Sequence, residues 1–331
     1  MKVLVTGGGG FLGKAIIRLL LDKGVAVRSF SRQNYPELAA LGVEHCRGEL
    51  SDLAAVTAAV AGCETVFHVA AKAGVWGPYS EYYQANVVGT ENILQACRRQ
   101  QVQRLIYTSS PSVVFDGSDM EGVDESVPYP PHYHSFYPQT KAQAEQLVLA
   151  ANSRKLATVA LRPHLIWGPE DNHLVPRILA RGRQGALRKL GRRPCLVDTI
   201  YIDNAAEAHL QAAEQLKIDS PVAGNAYFLS NDEPLPLWDI INRILAAGDL
   251  PPVTKTISPN LAYAIGALLE KSYRLLNLKG EPRMTRFVAR EMSTAHWFDL
   301  SAARRDFGYA PKVTIDEGLQ RLKLWLAQRP G

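Results

Sequence analysis

Residues 1–20 read MKVLVTGGGGFLGKAIIRLL: a short apolar run, four consecutive glycines, then an amphipathic stretch. Glycine inside a helix or strand costs roughly 0.5–1 kcal/mol relative to alanine, so four in a row mark a loop in which side chains would be in the way. KVLVT has the composition of a strand, and Phe11 to Lys23 carries helical periodicity. Gly7, Gly10 and Gly13 therefore stand at a strand-to-helix turn with the spacing G-x-x-G-x-x-G, and Phe11 and Leu12 open the helix. At such a turn, backbone N–H groups and the positive helix end can approach a pyrophosphate closely. Glycine-rich turns also arise for steric reasons alone. The place of this one, after the first strand and before an amphipathic helix, points to a dinucleotide.

The alternation continues outward. VAVRSF, TVFHVA, RLIYTS and ATVALR repeat the strand-like pattern, with helix-length stretches at Glu81 to Gln100 and Tyr137 to Ala151 between them. This predicts an α/β fold of Rossmann type over residues 1–163, a doubly wound parallel sheet with helices on both faces. Beyond it the texture changes: RPHLIWGPEDNHLVP is rich in turn formers, and AYFLSNDEPLPLWDIINRIL reads as strand, turn and helix. Residues 198–230 are expected to return to the sheet. Residues 164–197 and 231–331 are expected to form a smaller, discontinuous C-terminal substrate lobe, with the ligand in the crevice at the carboxyl ends of the strands.

Composition bounds the function. The chain has 331 residues, 47% hydrophobic and 21% charged, with a formal charge of +5. These values suit a globular enzyme, and the basic residues are scattered rather than gathered in tracts, so no nucleic-acid partner is expected. Cys46, Cys63, Cys97 and Cys195 lie far apart without a C-x-x-C pair, which argues against zinc and for a reducing, cytoplasmic setting. Met1 leads straight into KVLVT without the pattern of a signal peptide. LAYAIGALL, from Leu261 to Leu269, is too short to span a bilayer, which takes about 20 residues, but long enough to lie on a membrane surface. His132 and His134 have chelating spacing but no acidic or cysteine cluster nearby, so no metal is expected.

Two further constellations carry chemistry. At the end of the second strand, GVAVRSFSRQ offers no acid for the ribose hydroxyls of NAD; Ser31 and Arg32 fill the place. Arg32 reads as a contact to a 2′-phosphate, or else as a solvated arginine, so NADP is expected with NAD as the alternative. In YPQTK, Tyr137 and Lys141 stand at i and i+4 on one helix face. An adjacent ammonium stabilises a phenolate and lowers its pKa, which makes the phenol a usable acid or base. That spacing is common on solvated helices, but upstream YTSSPSVVF places Ser109 and Ser110 at a strand end, where their hydroxyls can reach the same crevice.

With these residues in view, the chain resembles the extended short-chain dehydrogenase/reductase superfamily over essentially its whole length. The matching segments are TGGGGFLG (6–13), HVAA (68–71), NVVGTENIL (86–94), YTSS (107–110), YPQTK (137–141) and LRPHLIWGP (161–169). The resemblance implies Tyr137 as the acid/base, Lys141 as the residue that binds the nicotinamide ribose, and Ser110 as the hydroxyl on the substrate oxygen, with Ser109 as its understudy. It implies cofactor contacts at the glycine turn, Leu50, Ala70, Asn86, Tyr137, Lys141, Pro163 and His164. His68 is expected to be a packed structural histidine. In GELSDL, Glu49 stands where relatives more often carry aspartate near the adenine.

Within the superfamily the chain is similar to the 3β-hydroxysteroid dehydrogenase type. TSSPSVVFDG, VDTIYIDNAAEAHLQAAEQL and LSNDEPLPLWDIINRIL look like sterol-4α-carboxylate 3-dehydrogenases and, more closely, bacterial 2-alkyl-3-oxoalkanoate reductases of olefin biosynthesis. The activity implied is NADPH-dependent reduction of a 2-alkyl-3-oxoalkanoic acid to the 3-hydroxy acid. The rivals are a 3β-hydroxysteroid or sterol-carboxylate dehydrogenase and, outside enzymes, a cofactor-sensing regulator, which retention of Ser110, Tyr137 and Lys141 disfavours. An apolar oxo acid or sterol-like molecule is the expected substrate. A homodimer is expected, and peripheral membrane or pathway-enzyme association stays open. LAYAIGALLEKSYRLL offers an apolar helix face that could cover an acyl chain, with packing against the core as the ordinary expectation. EPRMTRFVAR sets Arg283, Arg286 and Arg290 in one basic helix stripe, facing either a carboxylate or solvent.

Overall fold

Apolar runs that do not alternate with polar residues suit strands covered on both faces, and this is how they are used. In the computed structural model, which describes residues 2–328, seven strands pair in parallel. They are β1 (Lys2–Thr6), β2 (Ala26–Ser31), β3 (Glu44–Arg47), β4 (Thr65–His68), β5 (Arg104–Thr108), β6 (Ala157–Pro163) and β7 (Ala226–Leu229). The order β7-β6-β5-β4-β1-β2-β3 reverses direction between β1 and β4, which opens a crevice at the carboxyl ends of the strands.

Val3, Val5, Phe67, Ile106 and Val159 point to one face, where they pack with α1 (Phe11–Asp22) and, later in the chain, the helix Ile202–Gln215. Leu4, Val66, Leu105 and Tyr107 point to the other, against Leu53–Val60, Gly89–Arg99 and Phe136–Ala150. The expected helix over Glu81 to Gln100 contains a π-helical segment, Tyr83–Val88, a feature frequent at functional sites.

A second, four-stranded sheet joins Leu235–Pro236, Leu196–Val197, His296–Phe298 and Met120–Val123 in that order. The last of these comes from within the first 163 residues, so that stretch does not belong to the central sheet alone. The helix Pro259–Leu275 departs from the expected packing: Ala262, Gly266 and Glu270 are buried, whereas Leu261, Ile265, Leu268 and Leu275 face solvent. Gly266 is the reason. A Cβ there would lie 2.7 Å from the Thr285 backbone, so the helix seats its narrow small-residue edge, not its leucine face, on the segment leading into Arg286–Glu291. Among the described residues no helix is long and apolar enough to cross a membrane.

Candidate active site

One cleft of about 1070 Å³ runs along the carboxyl ends of the strands and on between the helices Leu174–Arg183, Leu237–Ala247 and Arg286–Glu291. A pocket for one small ligand usually takes about 300–1,000 Å³, so a cofactor and a substrate can share this one.

At one end lies the glycine bend. Gly7 has φ +68°, the left-handed conformation that side chains disfavour, and a Cβ on it would touch Ala70 at 3.0 Å. A Cβ on Gly13 would sit 2.3 Å from the Gly7 carbonyl oxygen. Gly10 precedes α1 and no side chain caps the helix, so its first N–H groups are left for a ligand. Gly7, Gly10, Phe11, Leu12, Gly13, Leu50 and Ala70 all line the cleft. Gly8 and Gly9 answer to a different demand. Cβ atoms on them would collide with Ser29 Oγ at 2.4 Å and the Tyr35 ring at 2.1 Å, so these two glycines make room for the protein's own side chains. The bend therefore fits the pyrophosphate of a dinucleotide.

Arg32 follows β2, is exposed and lines the same end. Its carbonyl accepts from Arg47 Nε at 3.0 Å, so two cations share this corner. Asp52 is spent on capping Leu53–Val60, accepting from the N–H groups of Ala54 and Ala55. His68 is buried between Thr6 Oγ1 (2.9 Å) and Thr90 Oγ1 (3.0 Å), and burial pushes it down to about 3.

Further along, β5 and Phe136–Ala150 bring Ser110, Tyr137 and Lys141 to the cleft wall. Ser110 Oγ lies 2.9 Å from Ser112 Oγ and accepts from the Ser112 N–H, and it lines the cleft beside Tyr137. The Ser109 hydroxyl is buried and, among the described residues, has no hydrogen-bond partner. The expected lowering of the phenol by its ammonium neighbour is absent. Burial dominates and pushes Tyr137 up to about 12, against the opposing influence of the Ser110 hydroxyl. Lys141 is turned to other groups: Nζ donates to the Thr108 carbonyl (2.6 Å) and lies 4.1 Å above the Tyr107 ring. Burial brings Lys141 down to about 7, with Glu145 opposing.

Asn86 stands behind the wall, not on it. Its side chain accepts from the Lys72 N–H (2.7 Å) and donates to the Lys72 carbonyl and Thr140 Oγ1, so it braces the cleft rather than facing a ligand. Pro163 and His164 line the cleft where β6 ends. The arginine stripe is divided: Arg283 lines the cleft, Arg286 pairs with Glu270, and Arg290 covers the Tyr263 ring. Among the described residues no group of three or more His, Cys, Asp or Glu is placed to hold a metal.

Sequence reasoning missed several neighbours. Glu145, one turn beyond Lys141, forms a buried two-bond ion pair with Arg162 (2.6 and 3.0 Å) that ties the helix to β6; its signal is the extended spacing Tyr137, Lys141, Glu145. Ser112, Arg177, Arg181, Glu291 and His296 also line the cleft, brought from segments with no local signature.

The comparisons agree with this geometry. Residues 4–257 match the model of the 3-beta hydroxysteroid dehydrogenase/isomerase family. A 2-alkyl-3-oxoalkanoate reductase of Stenotrophomonas maltophilia is 54% identical over 98% of both chains. A sterol-4-alpha-carboxylate 3-dehydrogenase, decarboxylating, of Mus musculus is 34% identical over 97% of this chain and 89% of its own. Among solved structures, the crystal structure of gox2253 superposes with a TM-score of 0.78 at 28% identity over 98% of each chain. The chain belongs to the 3-beta hydroxysteroid dehydrogenase/isomerase family, within the extended short-chain dehydrogenases/reductases.

Proposed function

We propose that the protein is an oxidoreductase that reduces the 3-oxo group of a 2-alkyl-3-oxoalkanoic acid to the 3-hydroxy acid, with NADPH as reductant. The observation that carries this reading is that Ser110, Tyr137 and Lys141 share one cleft with an uncapped glycine bend, and that the cleft continues into an apolar wall of Ile178, Leu237, Ile240, Ile244 and Phe287. When bound, the reduced nicotinamide supplies a hydride to the carbon bearing the oxo group. Tyr137 gives its phenolic proton to the oxygen, and the Ser110 hydroxyl steadies the charge that builds there. A phenol raised to about 12 is protonated near neutral pH, the form that reduction needs. Lys141 orders the strand end through the Thr108 carbonyl and stands ready for the ribose. NADP is favoured over NAD by Arg32, which follows β2 and lines the cleft. Four cysteines without disulfides suit a cytoplasmic setting.

The test is a panel of 2-alkyl-3-oxo acids, sterol-4-carboxylates and 3β-hydroxysteroids with both cofactors, followed by nicotinamide absorbance. Oxidation of NADPH by the oxo acids is expected. Turnover confined to hydroxysteroids or sterol-carboxylates with NAD would replace this reading with the dehydrogenase one, to which the 34% identical murine relative lends weight.

A further inference from the structure

Beyond the end of β5 stand Ser109, Ser110 and Ser112, and their surroundings differ. Ser109 sends its N–H to the Leu161 carbonyl (2.6 Å), while its hydroxyl has no hydrogen-bond partner among the described residues. Ser110 and Ser112 touch. Their hydroxyl oxygens lie 2.9 Å apart, and Ser110 Oγ also accepts from the Ser112 N–H at 3.3 Å. Both line the cleft that Tyr137 and Lys141 line.

The backbone holds this contact in place. Ser110 opens the short 3-10 turn Pro111–Val114, in which Pro111, Val113 and Val114 are buried and only Ser112 is left half-buried on the cleft wall. The Pro111 ring fixes one torsion between the two serines. The Tyr133 hydroxyl donates to the Val113 carbonyl (3.0 Å), and the Ser112 carbonyl accepts from the Phe115 N–H (3.3 Å). Ser112 Oγ is thus tied to its place beside Ser110 by groups that take no part in the reaction.

We infer that Ser112 is a positioning residue for the carbonyl reduction: its hydroxyl donates to Ser110 Oγ and so aims the one hydrogen of Ser110 at the substrate oxygen. This rests on the reductase reading above and on the place of Ser110 in it. A hydroxyl has one hydrogen and two acceptor sites, so in the free protein the contact between the serines can run in either direction. The substrate decides it. A carbonyl oxygen has no hydrogen to give, so Ser110 must donate to it, and Ser112 is left as the donor between the two.

Ser110 Oγ then accepts twice, from the O–H and the N–H of Ser112, and donates once, which uses its full capacity. Hydrogen bonds received by an oxygen make its own hydrogen a stronger donor. That strengthening counts most when negative charge builds on the substrate oxygen. Neither serine gives up its proton; the proton delivered to the product is that of Tyr137. Ser112 therefore acts through Ser110 alone.

The experiment is a double-mutant cycle on turnover of a 2-alkyl-3-oxo acid at saturating NADPH. Ser112→Ala keeps the N–H and loses the hydroxyl, so kcat should fall roughly threefold to tenfold, the value of one neutral hydrogen bond. KM should stay within about twofold, because the bond gains strength in the transition state rather than on binding. Ser112→Thr retains a hydroxyl and should recover most of the loss. Ser110→Ala alone should lower kcat roughly 10²-fold, and adding Ser112→Ala to it should cost nothing further. Losses that add in the double variant, an unaltered kcat in Ser112→Ala, or a Ser112→Thr enzyme no better than Ser112→Ala would overturn the inference.

Turnover of neither oxo acids nor hydroxysteroids by the wild type would fault the reductase reading itself. The serine pair can also be read without turnover. Calorimetric affinity of the NADPH-loaded protein for the 2-alkyl-3-hydroxy acid should fall about threefold in Ser112→Ala and be unchanged by that substitution once Ser110 is alanine. Equal losses in the two backgrounds would sink the inference.

Discussion

The two ends of the cleft are built differently. At the dinucleotide end, a bend of seven residues from Gly7 to Gly13 makes the binding surface, and its shape follows from backbone sterics: one left-handed glycine, one helix start without a cap, one glycine against a carbonyl. At the substrate end, the wall is assembled from segments near residues 164, 177, 240 and 290, and three of these pair with residues far off in the chain. Arg177 is fixed by Glu281, His164 by His296, and Arg286 by Glu270. A local device leaves its mark in consecutive residues, whereas an assembled one leaves its mark in pairs that become visible only when the chain is folded.

Where the two ends meet, the contrast can be put to its hardest test. Tyr137→Phe removes the proposed proton donor but leaves the glycine bend untouched. Turnover should fall roughly 10²–10⁴-fold, the usual range for a general acid, while the NADPH dissociation constant measured by fluorescence titration stays close to wild type. Unaltered turnover would remove Tyr137 from the chemistry. A large loss of NADPH affinity would mean that the two ends are less separable than the geometry indicates.

The next test belongs to the dinucleotide end. Arg32→Glu should weaken NADPH by about 1.5–3 kcal/mol through loss of a charged contact, with a much smaller effect on NADH. Equal losses for the two cofactors would return Arg32 to the solvated surface.

Legibility follows the same division. The runs KVLVT, VAVRSF, TVFHVA, RLIYTS and ATVALR all became parallel strands, because both faces of the sheet are covered and the apolar signal is continuous. That Ser109, Ser110, Tyr137 and Lys141 reach one cleft was legible because spacing four on a helix and a strand end fix their direction. Their electrostatics were not. The sequence suggests an ammonium beside a phenol, yet Lys141 is drawn to the Thr108 carbonyl and the Tyr107 ring, and burial decides the state of Tyr137. Asn86 was legible, through the resemblance, as a support of the site, but its partners Lys72 and Thr140 were not, since it sits in a π-helical segment that composition does not signal. Glu291 had no local signature at all.

The helix Pro259–Leu275 gives the most delicate comparison, because its small and large apolar residues have exchanged their usual roles. Gly266 packs against the backbone near Thr285, while Leu268, two residues on, is 65% exposed. Gly266→Val must push that backbone away and should cost about 1–3 kcal/mol by chemical denaturation, the range for overpacking. It should also disturb the substrate end, because the displaced segment leads into Phe287 and Glu291 on the cleft wall. Leu268→Glu places a charge where water already is and should change stability by less than about 0.5 kcal/mol, with turnover of a short oxo acid unaltered. If the leucine face were part of the folded core, the two outcomes would exchange. A destabilisation above 1 kcal/mol in Leu268→Glu would show that this face is covered in solution, and the exposed leucines would then have to be counted as interior.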